Sequence, residues 1–354
     1  ATAACVRDTS RSVKYFFIGA MSTATFLYGF ALLYGATGTT ELLAMKDIFA
    51  SQAATAAGIP LFGILGMVLA IVGLCFKITA VPMHFYAPDV YQGAPTPVTA
   101  FLAFMPKIAG FIAIILLVAL LGWQGHGFID SAGIRVPIEG LPRPVHATLW
   151  IIAVLTMILG NVGALLQSSV KRLLAYSSVA HSGYLLVGVL AGTAAGLTAV
   201  FFYLATYAIA TIAIFGALAG LERRGREIDT LDDLAGIWQK HKAMAAVIAV
   251  AAFSMVGLPP LIGFFGKLEL VIAAIAAGEV PLVVIMMVTS AISAYYYLRL
   301  AGLPLSSTPD ARSEGVVKSP RVWPRVAAIA CGLGVLLSPL AARPLMKFAE
   351  TISE

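Results

Sequence analysis

Nine apolar stretches, each near or above the ~20 residues needed to cross a bilayer, leave this chain little choice of fold. They run over 15–36, 58–87, 97–122, 147–168, 173–192, 197–221, 243–277, 281–301 and 325–346. The stretches are apolar on all sides instead of alternating, which argues against a transmembrane barrel. A lipid-exposed backbone must satisfy its own hydrogen bonds. The expected fold is therefore an all-α polytopic membrane protein of about nine spans. Only 11% of the residues are charged, with a mean hydropathy of +0.93, where a soluble domain carries ~25% charge. The net charge of +6 does not point to nucleic acid, because the basic residues fall in loops, where topology explains them.

Two of the stretches are too long for one straight crossing, and both carry breakers: Pro82 in 58–87, and Gly257, Pro259, Pro260 and Gly263 in 243–277. These two spans are expected to be discontinuous. A proline in a helix frees the carbonyl four residues back. Pro82 would free Ile78, Pro106 would free Leu102, and Pro259 and Pro260 would free Met255 and Val256.

Of the 23 Lys and Arg residues, fifteen fall in loops on one side and five (Lys46, Arg135, Arg143, Arg343, Lys347) on the other. That bias makes the first side cytoplasmic. On that side, Arg7, Arg11 and Lys14 read as a loop between helices, and 302–322, with Pro304, Pro309 and Pro320, as a linker. Within the charged loop 222–242, Leu231–Leu234 reads as a short surface helix. Loop 123–146 carries Gly, Pro and mixed charge.

The remaining three basic residues, Lys77, Lys107 and Lys267, sit inside apolar stretches, each close to a helix-breaking proline. An ammonium group at the bilayer centre costs at least ~2.5 kcal/mol, so such a lysine normally faces protein or water. Freed carbonyls and cavity water are what it requires. Desolvation disfavours the charged form of a buried amine, which lets it take and release protons at working pH. Three such groups in one chain suggest a path for protons; the competing reading is snorkelling to the headgroups. Carboxylate partners are scarce: Glu269 is two residues past Lys267, so a helix points it elsewhere, and Asp89 lies at the membrane edge.

A second polar group lies on 173–192: Ser177, Ser178, His181, Ser182 and Tyr184. Ser177 and Ser178 are four and three residues before His181 and share its face. His181 can relay protons through either ring nitrogen, or the group can hold a neighbouring helix. His84, between Pro82 and Pro88, either caps freed carbonyls or helps gate the cytoplasmic mouth. The run Tyr295-Tyr296-Tyr297-Leu298-Arg299 reads as an interfacial anchor. Cys5, Cys75 and Cys331 are far apart, giving no zinc or iron–sulfur spacing, and no dinucleotide or Walker motif is present. No cofactor is expected on this chain.

The stretch Phe76-Lys77-Ile78-Thr79-Ala80-Val81-Pro82-Met83-His84, followed by Pro88-Asp89-Val90-Tyr91-Gln92-Gly93-Ala94-Pro95, resembles the subunit N family of bacterial NADH-quinone oxidoreductases. So do Lys171-Arg172-Leu173-Leu174-Ala175-Tyr176-Ser177-Ser178 with His181 and Gly183-Tyr184-Leu185-Leu186, and Gly257-Leu258-Pro259 through Gly263-Phe264-Phe265-Gly266-Lys267. The resemblance implies an antiporter-like helix bundle with two inverted five-helix repeats, each holding one broken helix. Residues 15–122 would be the remainder of the first repeat and 147–301 the second; 302–354 would be a cytoplasmic linker plus the final helix. Lys77 and Lys267 would be the lysines of the two broken helices, and Lys107 the link between them. His181, Ser177, Ser178 and His84 would support the relay.

The family's glutamate pattern before this point has no counterpart in the chain, which opens on Ala1, so further helices are expected upstream. Ser10 stands where an acidic residue is frequent, and Glu269 where an aromatic one is. The resemblance implies a multi-pass protein of the bacterial inner membrane, in contact with lipid and with other membrane-arm subunits, while quinone and NADH bind elsewhere in the complex. The alternatives are an Mrp-type cation/proton antiporter subunit and a structural membrane subunit without transport.

Overall fold

Long runs of Leu, Ile, Val, Ala and Phe propagate as helix where the backbone has no water to bond. Helices accordingly dominate the computed structural model. It describes residues 2–53, 55, 58–121, 128–129, 135–136, 141–223, 226–306, 315–320 and 322–353, with side chains from Ser12 to Leu337 except at 128–136 and 226. The helices are α1 (Thr2–Thr37), α2 (Leu42–Ala53), α3 (Leu61–Leu74), α4 (Ala87–Gly93), α5 (Thr96–Leu120), α6 (Arg143–Leu165), α7 (Val170–Leu190), α8 (Ala194–Ala219), α9 (Lys242–Val256), α10 (Ile262–Ala276), α11 (Val280–Leu305) and α12 (Val322–Ser353).

Six of them, α1 (from Ser12), α5, α6, α7, α8 and α11, are long and apolar enough to cross a membrane; α3, α9 and Val322–Leu337 of α12 are apolar but shorter. Both long stretches are divided as their breakers predict. The first separates into α3 and α4 around an irregular segment and a 3-10 turn, Met83–Tyr86; the second separates into α9 and α10. Helix α7 is the centre of the bundle. It is buried along almost its whole length and packs against α4, α5, α6, α8, α10 and α11.

Several connecting segments differ from expectation. Arg7, Arg11 and Lys14 belong to α1, not to a loop. No Gly or Pro interrupts 2–14, so the helix continues past the apolar run. The short α2 was not anticipated; it buries Met45, Phe49 and Ala50. Leu231–Leu234 lies at a buried 3-10 turn, not a surface helix, because both leucines enter the core. Asp233 there accepts from Arg223 at 2.7 Å and from the Thr230 amide at 3.0 Å.

Short strands β1 (Phe128–Ile129) and β2 (Arg135–Val136) pair antiparallel within loop 123–146. Residues 123–127, 130–134 and 137–140 of that loop lie outside the described residues, as do Arg224, Gly225 and, in the expected linker, 307–314 with Pro309 and Arg312. The rest of 302–322 is not a free linker. Strand β5 (Val316–Lys318) pairs with β3 (Leu221–Arg223), which also pairs with β4 (Arg226–Glu227), all antiparallel in the order β4-β3-β5.

Candidate functional site

The second break is built by two glycines and a lysine. Gly257 ends α9 in the left-handed region (φ +90°), which glycine enters without the steric cost of a Cβ. Gly263 opens α10 so close to α9 that a Cβ there would stand 1.9 Å from the Ser254 carbonyl oxygen. Its amide donates to Ser254 Oγ at 3.2 Å. One turn later Lys267 Nζ turns back to the break. It donates to the Val256 carbonyl and to Ser290 Oγ, both at 2.8 Å, and lies 5.2 Å from the Tyr184 ring centre. Val256 is one of the carbonyls that the proline pair was expected to free.

Lys107 is 1% exposed. Its Nζ donates to the Ser178 carbonyl at 2.6 Å and to Ser178 Oγ at 2.9 Å, and sits 4.6 Å from the centre of the Tyr207 ring. His181 lies three residues along α7 and is held by two tyrosines. Its Nδ1 meets Tyr203 OH at 2.7 Å and its Nε2 meets Tyr297 OH at 2.8 Å. A neutral imidazole with a hydroxyl on each nitrogen donates at one and accepts at the other. It can therefore accept a proton on one side and release one on the other. Ser177 Oγ also hydrogen-bonds Tyr297 OH. The two serines predicted to flank His181 thus divide: Ser178 serves Lys107 and Ser177 serves Tyr297.

Between His181 and the second break lies a cavity of about 10 Å³, lined by Tyr203, Thr206, Tyr207, Ser254, Met255 and Gly263 among others. That is room for one water with several polar partners. A parallel polar set runs from Tyr184, whose hydroxyl accepts from Asn161 Nδ2 at 3.0 Å, to Tyr296, which donates to Asn161 Oδ1 at 3.0 Å. Lys107, Ser178, His181, Tyr203, Tyr207, Tyr297, the cavity and Lys267 thus lie in one buried polar line beside α7.

The first break is satisfied by its neighbours. Ser182 Oγ donates to the Ile78 carbonyl, the one expected to be freed by Pro82. Tyr86 OH donates to the Phe76 carbonyl at 2.8 Å, and the Val81 amide donates to Thr156 Oγ1 at 3.1 Å. Lys77 departs from the expectation of a buried site. Its side chain is exposed on the outer surface and has no hydrogen-bond or ion-pair partner among the described residues. Its backbone still packs on α5: a Cβ at Gly110 would meet Lys77 Cβ at 3.0 Å, three residues from Lys107. His84 is buried, its ring against Phe85 (4.2 Å between centres), and its Nδ1 has no hydrogen-bond partner among the described residues.

At the basic end, acidic residues fasten α4 and α5 to α7. Asp89 accepts from Lys14 at 2.6 Å and from Arg172 at 2.8 Å. Burial pushes its carboxyl up, but the hydrogen bonds from Lys14 and Arg172 outweigh that and hold it below the usual value. Glu227 accepts from Lys171 at 2.5 Å and from the Thr96 hydroxyl at 2.6 Å. There, too, burial acts upward, and the hydrogen bonds from Lys171 and Thr96 win, holding the carboxyl low.

Sequence reasoning singles out Tyr184 in the polar group of 173–192 but not Tyr203, Tyr207, Tyr296 or Tyr297. It takes Tyr295–Tyr297 for an interfacial anchor, which fits only Tyr295, 65% exposed; Tyr296 and Tyr297 are buried. A signal was present in α8, where Tyr203, Tyr207, Thr211 and Phe215 repeat every four residues and so share a face. Among the described residues no group of three His, Cys, Asp or Glu gathers that could hold a metal ion.

Residues 3–293 match the family model described as NADH:quinone oxidoreductase/Mrp antiporter, transmembrane region. Curated proteins named NADH-quinone oxidoreductase subunit N are 37–45% identical to the chain. One of them, from Rhodospirillum rubrum, is 39% identical over 298 residues, covering 84% of this chain and 57% of the relative. The chain spans 54–66% of the length of these curated relatives. A chain of respiratory complex I from Thermus thermophilus superposes with a TM-score of 0.76 at 34% identity, covering 96% of this chain and 68% of that one. A chain of the Mrp complex from Dietzia has a TM-score of 0.78 at 22% identity, covering 98% and 67%, and shares the fold. By its matched length, its two broken helices and these relatives, the chain belongs to the NADH:quinone oxidoreductase/Mrp antiporter transmembrane family.

Proposed function

We propose that this chain is a proton-translocating membrane subunit of an NADH:quinone oxidoreductase, with hydride and quinone chemistry on other subunits. The observation that carries the reading is the buried polar line from Lys107 through Ser178, His181 and its tyrosines to Lys267. Amines and hydroxyls aligned away from lipid have a structural cost that proton passage explains. The names of the curated relatives favour the redox-coupled complex. Residues 15–122 and 147–301 would form the two repeats, in a multi-pass protein of a bacterial inner membrane whose basic side faces the cytoplasm.

Lys77 has its own place in this reading. An exposed ammonium deep in an apolar span needs a cover that lipid cannot give. The longer relatives leave room for further chain, and a carboxylate from outside this sequence would complete the first lysine site. Lys77 then acts as the switching group, Lys107 as the link and Lys267 as the group nearest release.

The test is NADH-driven proton uptake by inverted membrane vesicles containing the assembled complex. Lys107→Met and Lys267→Met should each lower uptake per NADH by about tenfold or more, as loss of a proton-transfer group does. Intact uptake with normal assembly would leave a structural subunit as the answer. NADH-independent sodium flux would point to an Mrp-type cation/proton antiporter.

A further inference from the structure

Two buried hydroxyls, Tyr91 and Thr211, stand one polar group away from Lys107, beyond Ser178 and Tyr207, and are only loosely held. Tyr91 is 2% exposed and Thr211 is 1% exposed; among the described residues neither Tyr91 OH nor Thr211 Oγ1 makes a hydrogen bond of ordinary geometry, and their polar neighbours are the Ser178 hydroxyl for Tyr91 and the Tyr207 hydroxyl for Thr211. Tyr91 lies on α4, in the basic half of the first broken helix. Asp89 and Gln92 fix the rotation of that helix: Asp89 through Lys14 and Arg172, Gln92 through Asp229. The Tyr91 carbonyl accepts from Thr99 Oγ1 at 3.2 Å. So held, Tyr91 points inward, and its hydroxyl faces the Ser178 hydroxyl that binds Lys107. Tyr207 reaches the same serine and, one turn nearer the basic end, Thr211.

The α8 face supplies the spacing. Successive members of the 203, 207, 211 series are four residues apart, about 6 Å along the axis. One water joining two hydroxyls through ordinary hydrogen bonds spans at most about 5.6 Å, and side-chain reach makes up the rest. Thr211 is eight residues from the end of α8 at Ala219, about 12 Å inside. Phe215, one turn further out, is buried and lies edge-on to the Tyr91 ring, with 6.3 Å between centres. The hydroxyls of Tyr91 and Thr211 are therefore the outermost polar groups of this face, behind an apolar residue.

We propose that Tyr91 and Thr211 form the proton inlet from the basic side to Lys107, resting on the proton-conducting reading above. A hydronium arriving past Phe215 gives a proton to the Tyr91 oxygen as Tyr91 releases its own to Ser178. The Ser178 hydroxyl in turn passes one to the neutral Lys107 amine, leaving an ammonium group and a water. Thr211 binds the delivering water. No other co-reactant is consumed, and the hydroxyls reset by rotation. Loss of these loosely held buried hydroxyls should, on a purely structural view, leave transport unchanged.

The test is NADH-driven proton uptake by the assembled complex in proteoliposomes, with its solvent isotope effect, for Tyr91→Phe, Thr211→Val and both together. Lys107→Met is measured beside them. Each inlet variant should lower uptake per NADH, Tyr91→Phe by about tenfold, which is less than the ~10²–10⁴ of a full acid–base group because water can replace part of the path. The isotope effect should rise in each. Thr211→Val keeps the side-chain shape and decides the matter if Tyr91→Phe does not assemble. Normal uptake and isotope effect in the inlet variants, with uptake lost in Lys107→Met, would overturn the inlet and leave the proton-conducting reading standing. Normal uptake in every variant, Lys107→Met included, would overturn both.

Discussion

Lys107 gives two of its three donor hydrogens to one residue, Ser178, bonding both the carbonyl and the hydroxyl. The carbonyl of a helical residue is normally taken by the amide one turn on. Here Ser182 Oγ also reaches the Ser178 carbonyl, at 3.2 Å, while it caps Ile78. One point on α7 thus ties the lysine of α5 to the break between α3 and α4.

Charge and proton exchange can be separated at this position. Lys107→Arg keeps the positive charge, but guanidinium is not deprotonated in proteins. We expect the variant to accumulate in membranes like the parent and to transport protons about tenfold slower or worse. Proton uptake per NADH, normalised to assembled complex, measures it. Normal uptake would mean that Lys107 serves only as a fixed charge.

Ser182→Ala should act on stability. It leaves the Ile78 carbonyl buried without its donor, at a cost of about 1–3 kcal/mol. Thermal unfolding in detergent should show a lower midpoint than for Ser22→Ala. Ser22 Oγ also caps a carbonyl, that of Gly73, but there the Phe76 amide, just past the end of α3, donates to the same carbonyl at 3.4 Å. Equal midpoints would deny Ser182 this role.

Much of this site was legible because a charge or a missing amide has no cheap explanation within an apolar run. Lys107, Lys267 and the prolines declare themselves that way, and so does the Val256 carbonyl that Lys267 finds. Tyrosine does not, since its ring is at home in a core. Tyr203 and Tyr297, which hydrogen-bond His181, and Tyr207, whose ring lies 5.0 Å from it, became visible as a set only once His181 was placed among them. The direction of Lys77 was hidden for another reason: it depends on what packs outside the span, which no local pattern encodes. The end of α1 was obscured by charge. Lys14 looks like loop chemistry until Asp89, 75 residues later in the chain, is found beside it.

The basic-end latch predicts a pH dependence. The Asp89 carboxyl is held below its ordinary value in the folded chain. Its contribution is therefore fully present above the ordinary value of ~3.9 and is lost as the pH falls through the lower, folded value. Lys14 is 57% exposed, so solvent screening weakens its share of the pairing. Asp89→Asn should cost about 1 kcal/mol at pH 7. Melting curves of parent and variant should converge as the pH drops below ~4. A constant difference across that range would show that Asp89 acts by shape alone.

Gly263→Ala and Gly35→Ala make a matched pair. A Cβ at Gly263 would lie 1.9 Å from the Ser254 carbonyl oxygen, which is backbone and cannot step aside, whereas nothing lies within 4 Å of a Cβ at Gly35 in α1. The first change should destabilise by about 1–3 kcal/mol or more. The second should be neutral or stabilising by up to ~1 kcal/mol, since alanine favours helix. Unfolding midpoints in detergent decide it, and a tolerated Gly263→Ala would mean that α9 and α10 do not approach as described.

Lys77 and Lys107 lie on neighbouring elements and face opposite ways, one outward and one into the bundle. Acylation by a membrane-permeant amine reagent should follow that difference. In the detergent-solubilised chain, Lys77 should label readily, while Lys107 and Lys267, 1% and 7% exposed, should resist until the fold is denatured. Peptide mass analysis gives the site occupancies. Labelling of Lys107 before Lys77 would reverse the placement of the two amines and remove the basis for a conduit running inward from α5.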